Sequence, residues 1–382
     1  MPWSTETPME QRMKLIEAWK ARVFSDVELF EHFGVSRKTG YKWIGRYEEE
    51  GVEGLRDRSR APHRCPHRIS EEVEDAIVAV RQKHPRWGPK KIVKVLEWKH
   101  PEVAWPAAST AGEVLSRRGM VKARRRKQGR GKPTTKLTEP RGPNDVWPLD
   151  FKGEFRLGSG HLCYPVTMSD LYSRFLVLCN GQPSKAMAPT QDSMKGAFRD
   201  VGLPWSIRTD NGEPFASHGL CGLNQLNIWW MKLGIRHERI NAGRPQQNGA
   251  HERMHRELKA DTARPPAATA KLQQQRFDAF RAIWNYERPH EALGQKPPGL
   301  LWEPSPREYP EKLPKPEYPG HYEVRIVRSR GEIKFKGHKL FLSHALAHER
   351  VGLEEVDDGV WSVRFFAFEI GRLQEHTWRI YG

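Results

Sequence analysis

Apolar residues in the first fifty positions recur with the period of amphipathic helices. The pattern predicts three helices, in EQRMKLIEAWKAR, SDVELFEHF and VSRKTGYKWIGRY. Gly34 ends the second helix and Ser36 is the N-cap candidate of the third. A glycine turn between two short helices, followed by a capped basic helix, is typical of a helix-turn-helix.

The outer face of the third helix is polar and basic, which favours DNA reading over a plain three-helix bundle. The candidate DNA contacts on this helix are Arg37, Lys38, Tyr41, Lys42 and Arg46. A second helical unit over residues 69–119 begins at the N-cap candidate Ser70 and ends at Gly119, and it also has a helix-turn-helix pattern. Its tryptophans, Trp87, Trp98 and Trp105, are expected to pack rather than to stack on bases.

The pattern changes near Val146. Strand-like runs rich in aromatic and β-branched residues come first, and helices alternating with short strands follow, which predicts an α/β core. Eight prolines between residues 297 and 319 predict an extended linker. The last segment alternates with period two, as in a small β-barrel-like domain.

The predicted fold class is therefore multidomain: all-α modules, a central α/β core and a small all-β domain. The predicted parts are a helix-turn-helix domain, a second domain of that type, a basic linker, a core, a proline-rich linker and a β domain, over residues 1–60, 61–121, 122–145, 146–300, 301–319 and 320–382.

Composition agrees with a polar-surfaced protein, with 37% hydrophobic and 29% charged residues and no apolar run long enough for a membrane span. The four cysteines include no C-x-x-C pair, which favours reduced thiols in a cytoplasmic protein. His63, Cys65 and His67 could hold a metal, but they offer only three donors.

The formal charge of +17 narrows the choice of partner, and residues 1–149 carry +11 of it. The run KARRRKQGRGK contains further candidate DNA contacts, at Arg124, Arg125, Arg126 and Lys127. A basic run between structured parts of a basic protein is suited to lie along phosphates, so double-stranded DNA is the favoured partner.

The letters HERMH, from His251 to His255, spell the H-E-x-x-H pattern of zinc peptidases. Such a site needs a third protein ligand, and the residues after His255 supply neither glycine nor histidine at the usual spacing. A zinc peptidase stays an alternative, although an accidental match is favoured. The two histidines are then expected to flank Glu252 and to contact DNA.

A wider pattern assigns Glu252 to another site. Asp150 lies within a predicted strand, Asp210 ends another strand before a turn, and Glu252 lies on a helix after GRPQQNG. Carboxylates brought together in this way suit two Mg²⁺ or Mn²⁺ ions about 4 Å apart, the arrangement used for phosphoryl transfer. Arg256 and Lys259 share a helix face with Glu252 and could bind phosphates.

Ordinary structural roles are open to Asp150 and Asp210, and Asp145 or Asp170 could take the first position instead. The ordered motifs D-F-K-G, T-D-N-G-x-P-F and G-x-P-Q-x-N-G-x-x-E-R-x-H-R-x-L-K nevertheless resemble the DDE integrase core of bacterial insertion-sequence transposases. The insertion sequence 481 group is the most similar, and the resemblance covers residues 10–300. The interval before Glu252 is somewhat longer than in the family pattern.

The resemblance implies a ribonuclease-H-like core in which Asp150, Asp210 and Glu252 bind two Mg²⁺ ions, with Mn²⁺ as a substitute. It also implies binding of terminal inverted repeats, strand cleavage and transfer into target DNA, and a homo-oligomer on DNA in the bacterial cytoplasm, near the nucleoid, without a membrane. The other readings are an inactive helix-turn-helix regulator and a ribonuclease H.

Overall fold

A computed structural model describes residues 7–58, 69–121, 137–215, 222–240 and 249–381. The chain divides into two compact units, Met1–Ile69 and Ser70–Gly382, and each is described separately. In the described part of the chain, every helix is too short or too polar to cross a membrane.

The first unit is a bundle of three helices, as the periodicity predicts. They are α1 Pro8–Lys20, α2 Asp26–His32 and α3 Arg37–Glu50. The hydroxyl of Ser36 accepts from the backbone N–H of Thr39 and starts α3, while Gly34 takes the positive φ that ends the preceding turn. Leu29, Phe30 and Leu55 are almost fully buried between the helices.

The second unit opens with three more helices. They are α4 Glu71–Lys83, α5 Pro89–Lys99 and α6 Ala108–Arg117. Ser70 caps α4 through the N–H of Val73, and Ile77, Ile92 and Val114 form the fully buried centre. Trp87 is buried as expected, whereas Trp98 is 41% exposed and has the Lys94 ammonium 6.0 Å from its ring centroid.

The central part is a mixed six-stranded sheet with flanking helices. Its strands are β1 Val146–Phe151, β2 Phe155–Arg156, β3 Leu162–Ser169, β4 Leu176–Gln182, β5 Ser206–Thr209 and β6 Arg236–Arg239. Its helices are α7 Met187–Val201, α8 Gln225–Lys232, α9 Gly249–Thr262 and α10 Ala270–Ala282. The strand order is β2-β3-β1-β5-β6, with β4 also paired to β3.

Strand β1 lies in the middle of this sheet, antiparallel to β3 and parallel to β5. Trp147, Phe198 and Trp230 are fully buried in the main apolar cluster, which includes residues of α7 and α8. A second cluster joins α9 and α10 to the sheet through Met254, Leu258 and other residues. Both sides of the central strands are thus covered, which is the usual arrangement for parallel strands.

The proline-rich segment makes close contacts with the core. The backbone N–H of Leu203 donates to the Arg307 carbonyl at 2.7 Å, and the Ser305 hydroxyl donates to the Leu203 carbonyl. Trp302 stacks on Phe175 with a centroid separation of 3.9 Å. Residues around 302–307 therefore lie along the core through backbone and aromatic contacts.

The C-terminal part consists of β-strands. They are β7 Glu323–Ile326, β8 Glu332–Phe335, β9 His338–Phe341, β10 Arg350–Asp357, β11 Val360–Phe365, β12 Phe368–Gln374 and β13 Arg379–Tyr381. Five of them form a sheet in the order β13-β12-β11-β10-β7, and β8 and β9 form a hairpin. The helical modules, α/β core and β-rich end agree with the predicted fold class.

Candidate active site

Asp150 lies near the end of β1, in the middle of the core sheet. Its position alternates with the buried Leu149 and Phe151, so its side chain faces the other way and is 25% exposed. Across the antiparallel ladder the residue directly opposite is Thr167, whose hydroxyl lies 3.2 Å from the Asp150 carbonyl oxygen.

Asp210 follows β5, the parallel neighbour of β1. The N–H of Gly212 donates to its carboxylate at 3.0 Å. A Cβ added at Gly212 would lie 3.3 Å from both carboxylate oxygens, so glycine leaves the space that this carboxylate occupies. Gly212 thus positions the Asp210 carboxylate in two ways: its backbone N–H donates a hydrogen bond, and its lack of a side chain leaves room for the carboxylate.

Glu252 lies in the first turn of α9, on the exposed face of that helix. Arg256 is also exposed, four residues later, and Lys259 is half-buried one turn beyond it. Because residues four and seven positions apart share a helix face, the glutamate and both cations project from the same side of α9. The opposite side carries Met254 and Leu258 into the core.

The three carboxylates interact electrostatically. Burial, the charge of Asp210 and, least of all, the charge of Glu252 raise the pKa of Asp150 from 3.8 to about 7, against the lowering effects of the Phe151 backbone and the Lys152 charge. Like charges disfavour the ionised form, so the raised pKa of Asp150 indicates a negative potential at this carboxylate that the Lys152 charge offsets only in part. A strongly perturbed pKa such as that of Asp150 is typical of residues at functional sites.

This donor set fits a divalent cation. Carboxylate oxygens are the ligands that Mg²⁺ and Mn²⁺ prefer, and a cation would relieve the repulsion that raises the pKa of Asp150. Within the described ranges no three His, Cys, Asp or Glu side chains already stand close enough together to surround one ion. Asp150, Asp210 and Glu252 therefore do not form a complete metal cage within the described residues.

The two histidines of the HERMH pattern point into the protein. His251 is 1% exposed and His255 is 3% exposed, so the expectation that they contact DNA is wrong. Both Nε2 atoms lie against the Thr167 hydroxyl, at 2.8 Å from His251 and 2.5 Å from His255. Burial lowers the pKa of His251 to about 3 and that of His255 well below its usual value. These contacts and burial disfavour the zinc alternative, because a zinc ion bound to both Nε2 atoms would have to displace the threonine.

A similar arrangement supports Asp210. His237 on β6 lies 2.8 Å from the hydroxyl of Thr209, which also contacts the Asp210 carbonyl at 2.7 Å. Burial and the charge of Arg239 lower the pKa of His237 to about 3. Each aspartate thus has a neighbouring threonine whose hydroxyl contacts a histidine of lowered pKa: Asp150 faces Thr167 across the sheet, and Asp210 follows Thr209. The sequence alone does not indicate this feature.

The rival aspartates have structural partners. The Asp145 carboxylate accepts from the N–H groups of Arg141 and Gly142 in a turn. Asp170 is fully buried and accepts from the backbone of Asn144 and from both the backbone and hydroxyl of Ser173. These contacts occupy the two carboxylates in turns, so Asp150 is the aspartate with an open carboxylate on β1.

Helix α9 is also linked to the second helical unit. Glu257 is 3.1 Å from Arg86, which precedes α5, and 3.2 Å from Arg288, which follows α10. Burial alone would raise the pKa of Glu257, but the two guanidinium groups outweigh it and hold the pKa below 4.5. The helix that carries Glu252 is therefore fixed by an ion-pair network that is largely buried.

The candidate DNA contacts on α3 lie on its outer side. Arg37, Lys38, Tyr41 and Lys42 are exposed, and the first two form no ion pair with any other described residue. The Tyr41 hydroxyl donates to Asp26 at 3.2 Å, and the half-buried Arg46 packs over Trp43. Arg124, Arg125, Arg126, Lys127 and the cluster of His63, Cys65 and His67 lie outside the described residues.

A mixed sheet with one aspartate on β1, a second directly after the parallel strand β5 and a glutamate on a helix is typical of an integrase-type core, and here it follows helical modules of helix-turn-helix pattern. Family models agree. Residues 140–245 and 233–298 match integrase core domains, residues 11–63 a helix-turn-helix domain and residues 39–115 a homeodomain-like domain. Residues 322–378 match the C-terminal domain of the IS481 family of transposases.

Proteins of insertion elements are among the relatives. The chain is 28% identical over 182 residues to an uncharacterized 31.7 kDa protein of insertion element IS407 from Burkholderia multivorans, and 26% identical over 239 residues to an uncharacterized 39.2 kDa protein of insertion element IS476 from Xanthomonas euvesicatoria. The alignments cover 47% and 61% of this chain, and 62% and 65% of the relatives, which is less than two thirds of either. The resemblance to insertion-sequence transposases with an integrase core is confirmed.

Solved integrase structures resemble parts of the chain. The catalytic core domain of HTLV-2 integrase in complex with magnesium covers 43% of this chain and 99% of its own, with 15% identity and a TM-score of 0.32. A simian T-cell lymphotropic virus intasome in complex with a PP2A regulatory subunit covers 72% and 96%, with 17% identity and a TM-score of 0.37.

Proposed function

We propose that the chain is the DNA transposase of an insertion sequence, which binds the terminal inverted repeats and catalyses strand cleavage and strand transfer. The observation that carries the proposal is the electrostatic coupling of Asp150 to Asp210 and Glu252. The proposal assigns the carboxylates of β1, the end of β5 and α9 to one site, in a protein that also matches a helix-turn-helix domain. This combination suits phosphodiester chemistry directed to a DNA site.

Asp150, Asp210 and Glu252 would hold two Mg²⁺ ions, or Mn²⁺ in their place. Bound ions of this kind stabilise the attacking and leaving oxygens of an in-line displacement. The protein's part is to keep the three carboxylates fixed and to hold the strand. In this proposal Arg256 and Lys259, on the same face of α9 as Glu252, bind phosphates of the DNA beside the ions.

The reaction needs no nucleophilic side chain. In the first step water attacks the phosphodiester at the end of the element, and the 3′-oxygen leaves with a proton. In the second step the freed 3′-hydroxyl attacks a phosphodiester of the target, whose own 3′-oxygen leaves. Each step exchanges one P–O bond for another, so no oxidant or energy donor is required.

Recognition of the ends is assigned to the helical modules. Helix α3 exposes Arg37, Lys38 and Lys42 along one side, and a helix of this type reads base edges in the major groove. Arg124 to Lys127 would add phosphate contacts between the modules and the core. Because two ends must be joined to one target, we expect at least a dimer on DNA.

Incubation with a labelled oligonucleotide carrying the ends of its own element tests the proposal. We expect 3′-end cleavage and strand transfer with Mg²⁺ or Mn²⁺. Asp150→Asn, Asp210→Asn and Glu252→Gln should each lower the rate by orders of magnitude and leave end binding intact. The matched controls Asp145→Asn and Asp170→Asn remove carboxylates held in turns and should retain cleavage, apart from any loss of folded protein.

Losses in the three active-site variants should not add, because the carboxylates act as one unit. End binding without any cleavage by the unaltered protein would contradict the catalytic proposal and favour a helix-turn-helix regulator. Full cleavage by Glu252→Gln would contradict the assignment of the third carboxylate.

A further inference from the structure

A chain of buried polar side chains ends at the carboxylate of Asp150. Ser169 Oγ lies 2.9 Å from Nδ1 of His251, whose Nε2 lies 2.8 Å from Thr167 Oγ1. The same hydroxyl lies 2.5 Å from Nε2 of His255, and Nδ1 of His255 lies 3.6 Å from Oδ2 of Asp150. Ser169, His251, Thr167 and His255 are each at most 9% exposed. The proposed chemistry does not use any of these four.

We propose that His255 is a positioning residue, held in place by Thr167, that orients the Asp150 carboxylate toward its cation. The proposal rests on the catalytic role given to Asp150 above. It assigns a function to the two histidines of the HERMH pattern that is unrelated to zinc, and it makes Thr167 and His251 the supports of the positioning side chain.

The numbers of donors and acceptors on these side chains determine which group donates in each hydrogen bond of the series. A hydroxyl has one proton to donate, and a neutral imidazole has one N–H and one acceptor nitrogen. The shortest contact, between Thr167 and His255, takes the hydroxyl proton, since the alternative acceptor, the Asp150 carbonyl, lies farther away at 3.2 Å. Ser169 then donates to His251, His251 donates to Thr167, and Thr167 donates to His255.

Only the Nδ1 atom of His255 is left, and in this arrangement it carries the proton. The nearest carboxylate oxygen is Oδ2 of Asp150 at 3.6 Å, an ion-pair distance that a small movement of either side chain would shorten to a hydrogen bond. The opposite direction would place an imidazole lone pair against that oxygen, which is repulsive. Ser169, His251, Thr167 and His255 each donate one hydrogen atom in this arrangement. The series ends at the Asp150 carboxylate, which can only accept when it is ionised.

The placement on α9 gives this contact a mechanical role. His255 and Glu252 are three residues apart, so less than one helical turn separates the group that contacts Asp150 from a proposed ligand. Thr167 belongs to β3 and faces Asp150 across the ladder. A single cluster thus ties β1, β3 and α9 together at the point where carboxylates from the sheet and the helix must keep a fixed separation.

Hydrogen-bond partners that orient metal ligands typically change metal affinity or activity by about 10–100-fold when they are removed. Two amide substitutions distinguish the role of Nδ1 of His255 from the role of Nε2. Asparagine places its amide near the position of Nδ1, which faces Asp150, whereas glutamine reaches the position of Nε2, which contacts Thr167. A positioning role predicts different outcomes for the two, and a packing role does not.

The experiment is titration of the full-length protein with Mn²⁺ by calorimetry, with thermal unfolding measured without ions. We expect His255→Gln and His255→Ala to bind Mn²⁺ about 10–100-fold more weakly than the unaltered protein, and His255→Asn, which keeps the amide that faces Asp150 but not the contact with Thr167, to bind it more tightly than either. End-DNA affinity should be unchanged, and cleavage should fall in kcat with the Mn²⁺ affinity.

If the His255 variants do not fold, a second pair on β3 decides. Thr167→Val keeps the shape and removes the hydroxyl, and Thr167→Ser restores it. We expect weaker Mn²⁺ binding for valine and near-normal binding for serine. Equal Mn²⁺ affinity in both Thr167 variants, or in His255→Gln and the unaltered protein, would overturn the positioning role.

The outcomes separate this inference from the proposed function. An unaltered protein that cleaves end DNA, together with unchanged Mn²⁺ affinity in the variants, contradicts positioning alone. An unaltered protein that binds Mn²⁺ without cleaving contradicts the proposed function, while the variant affinities still decide the role of His255. An unaltered protein that binds no Mn²⁺ contradicts both.

Discussion

Replacement of Asp150 by asparagine should increase the stability of the ion-free protein while it abolishes catalysis. In the unfolded chain this carboxyl ionises near its usual pKa of 3.8, whereas in the folded core its pKa is about 7. Between these pH values the folded protein holds a proton that the unfolded chain has released. The free energy of unfolding therefore falls as the pH rises through this window.

The size of the effect follows from the same values. One pKa unit corresponds to about 1.36 kcal/mol, so a shift of about three units sets an upper bound of about 4 kcal/mol at pH 8. A quarter of the Asp150 side chain is exposed, and water screens part of the repulsion. We expect about 1–3 kcal/mol, and about 2–4 °C in Tm for each kcal/mol in a core of this size.

Thermal unfolding in a chelator, from pH 4 to pH 8, measures the difference between Asp150→Asn and the unaltered protein. The gain should be small at pH 4, grow through pH 4 to 7 and stay constant above. Mg²⁺ should reduce this difference in stability at pH 8, because a cation stabilises the ionised carboxylate of the unaltered protein. A gain of equal size at pH 4 and pH 8 would refute the electrostatic explanation.

Glu257→Gln is a control with the opposite sign. The Arg86 and Arg288 charges lower the pKa of Glu257, so its contribution is present above the unfolded pKa and is lost as the pH falls. This variant should be less stable than the unaltered protein at pH 7, and the difference should shrink on acidification.

Other changes test separate parts of the molecule. Arg37→Ala and Lys38→Ala should each weaken end binding in gel shifts, and each lost phosphate contact should reduce the slope against log salt by about one. Gly212→Ala crowds the Asp210 carboxylate and should slow cleavage at least about tenfold, whereas Gly196→Ala, with open space inside α7, should raise stability by about 0.5–1 kcal/mol and leave cleavage unchanged. Trp302→Ala removes the stack on Phe175 and a hydrogen bond to Asn144, and should cost about 2–4 kcal/mol in chemical unfolding.

Local signals made most elements predictable. Ser36 and Ser70 cap the helices that their positions indicated, and the change of period at Val146 coincides with the start of β1. The order of strands and helices after that point is also the predicted order. Capping and periodicity depend on neighbours within a few residues, so both can be recognised in a single sequence.

The surroundings of the carboxylates depend on contacts that are distant in sequence. Thr167 faces Asp150 because of the pairing register of β1 and β3, and nothing local to either strand fixes that register. The inward orientation of His251 and His255 was available from the sequence. They share a helix face with the apolar Met254 and Leu258, and this spacing by itself predicts that both imidazoles are buried.

The register of β1 against β3 has a consequence for changes in chain length. A slip of one residue would set Val166 or Met168 opposite Asp150 and turn the Thr167 hydroxyl to the other face of the sheet. A residue inserted within β3 should therefore disable the site even if the sheet still forms. Insertion near Gly153, which has a positive φ and open space around it, lengthens only the connection to β2. We therefore expect natural length variation in related proteins near Gly153 and not within β3.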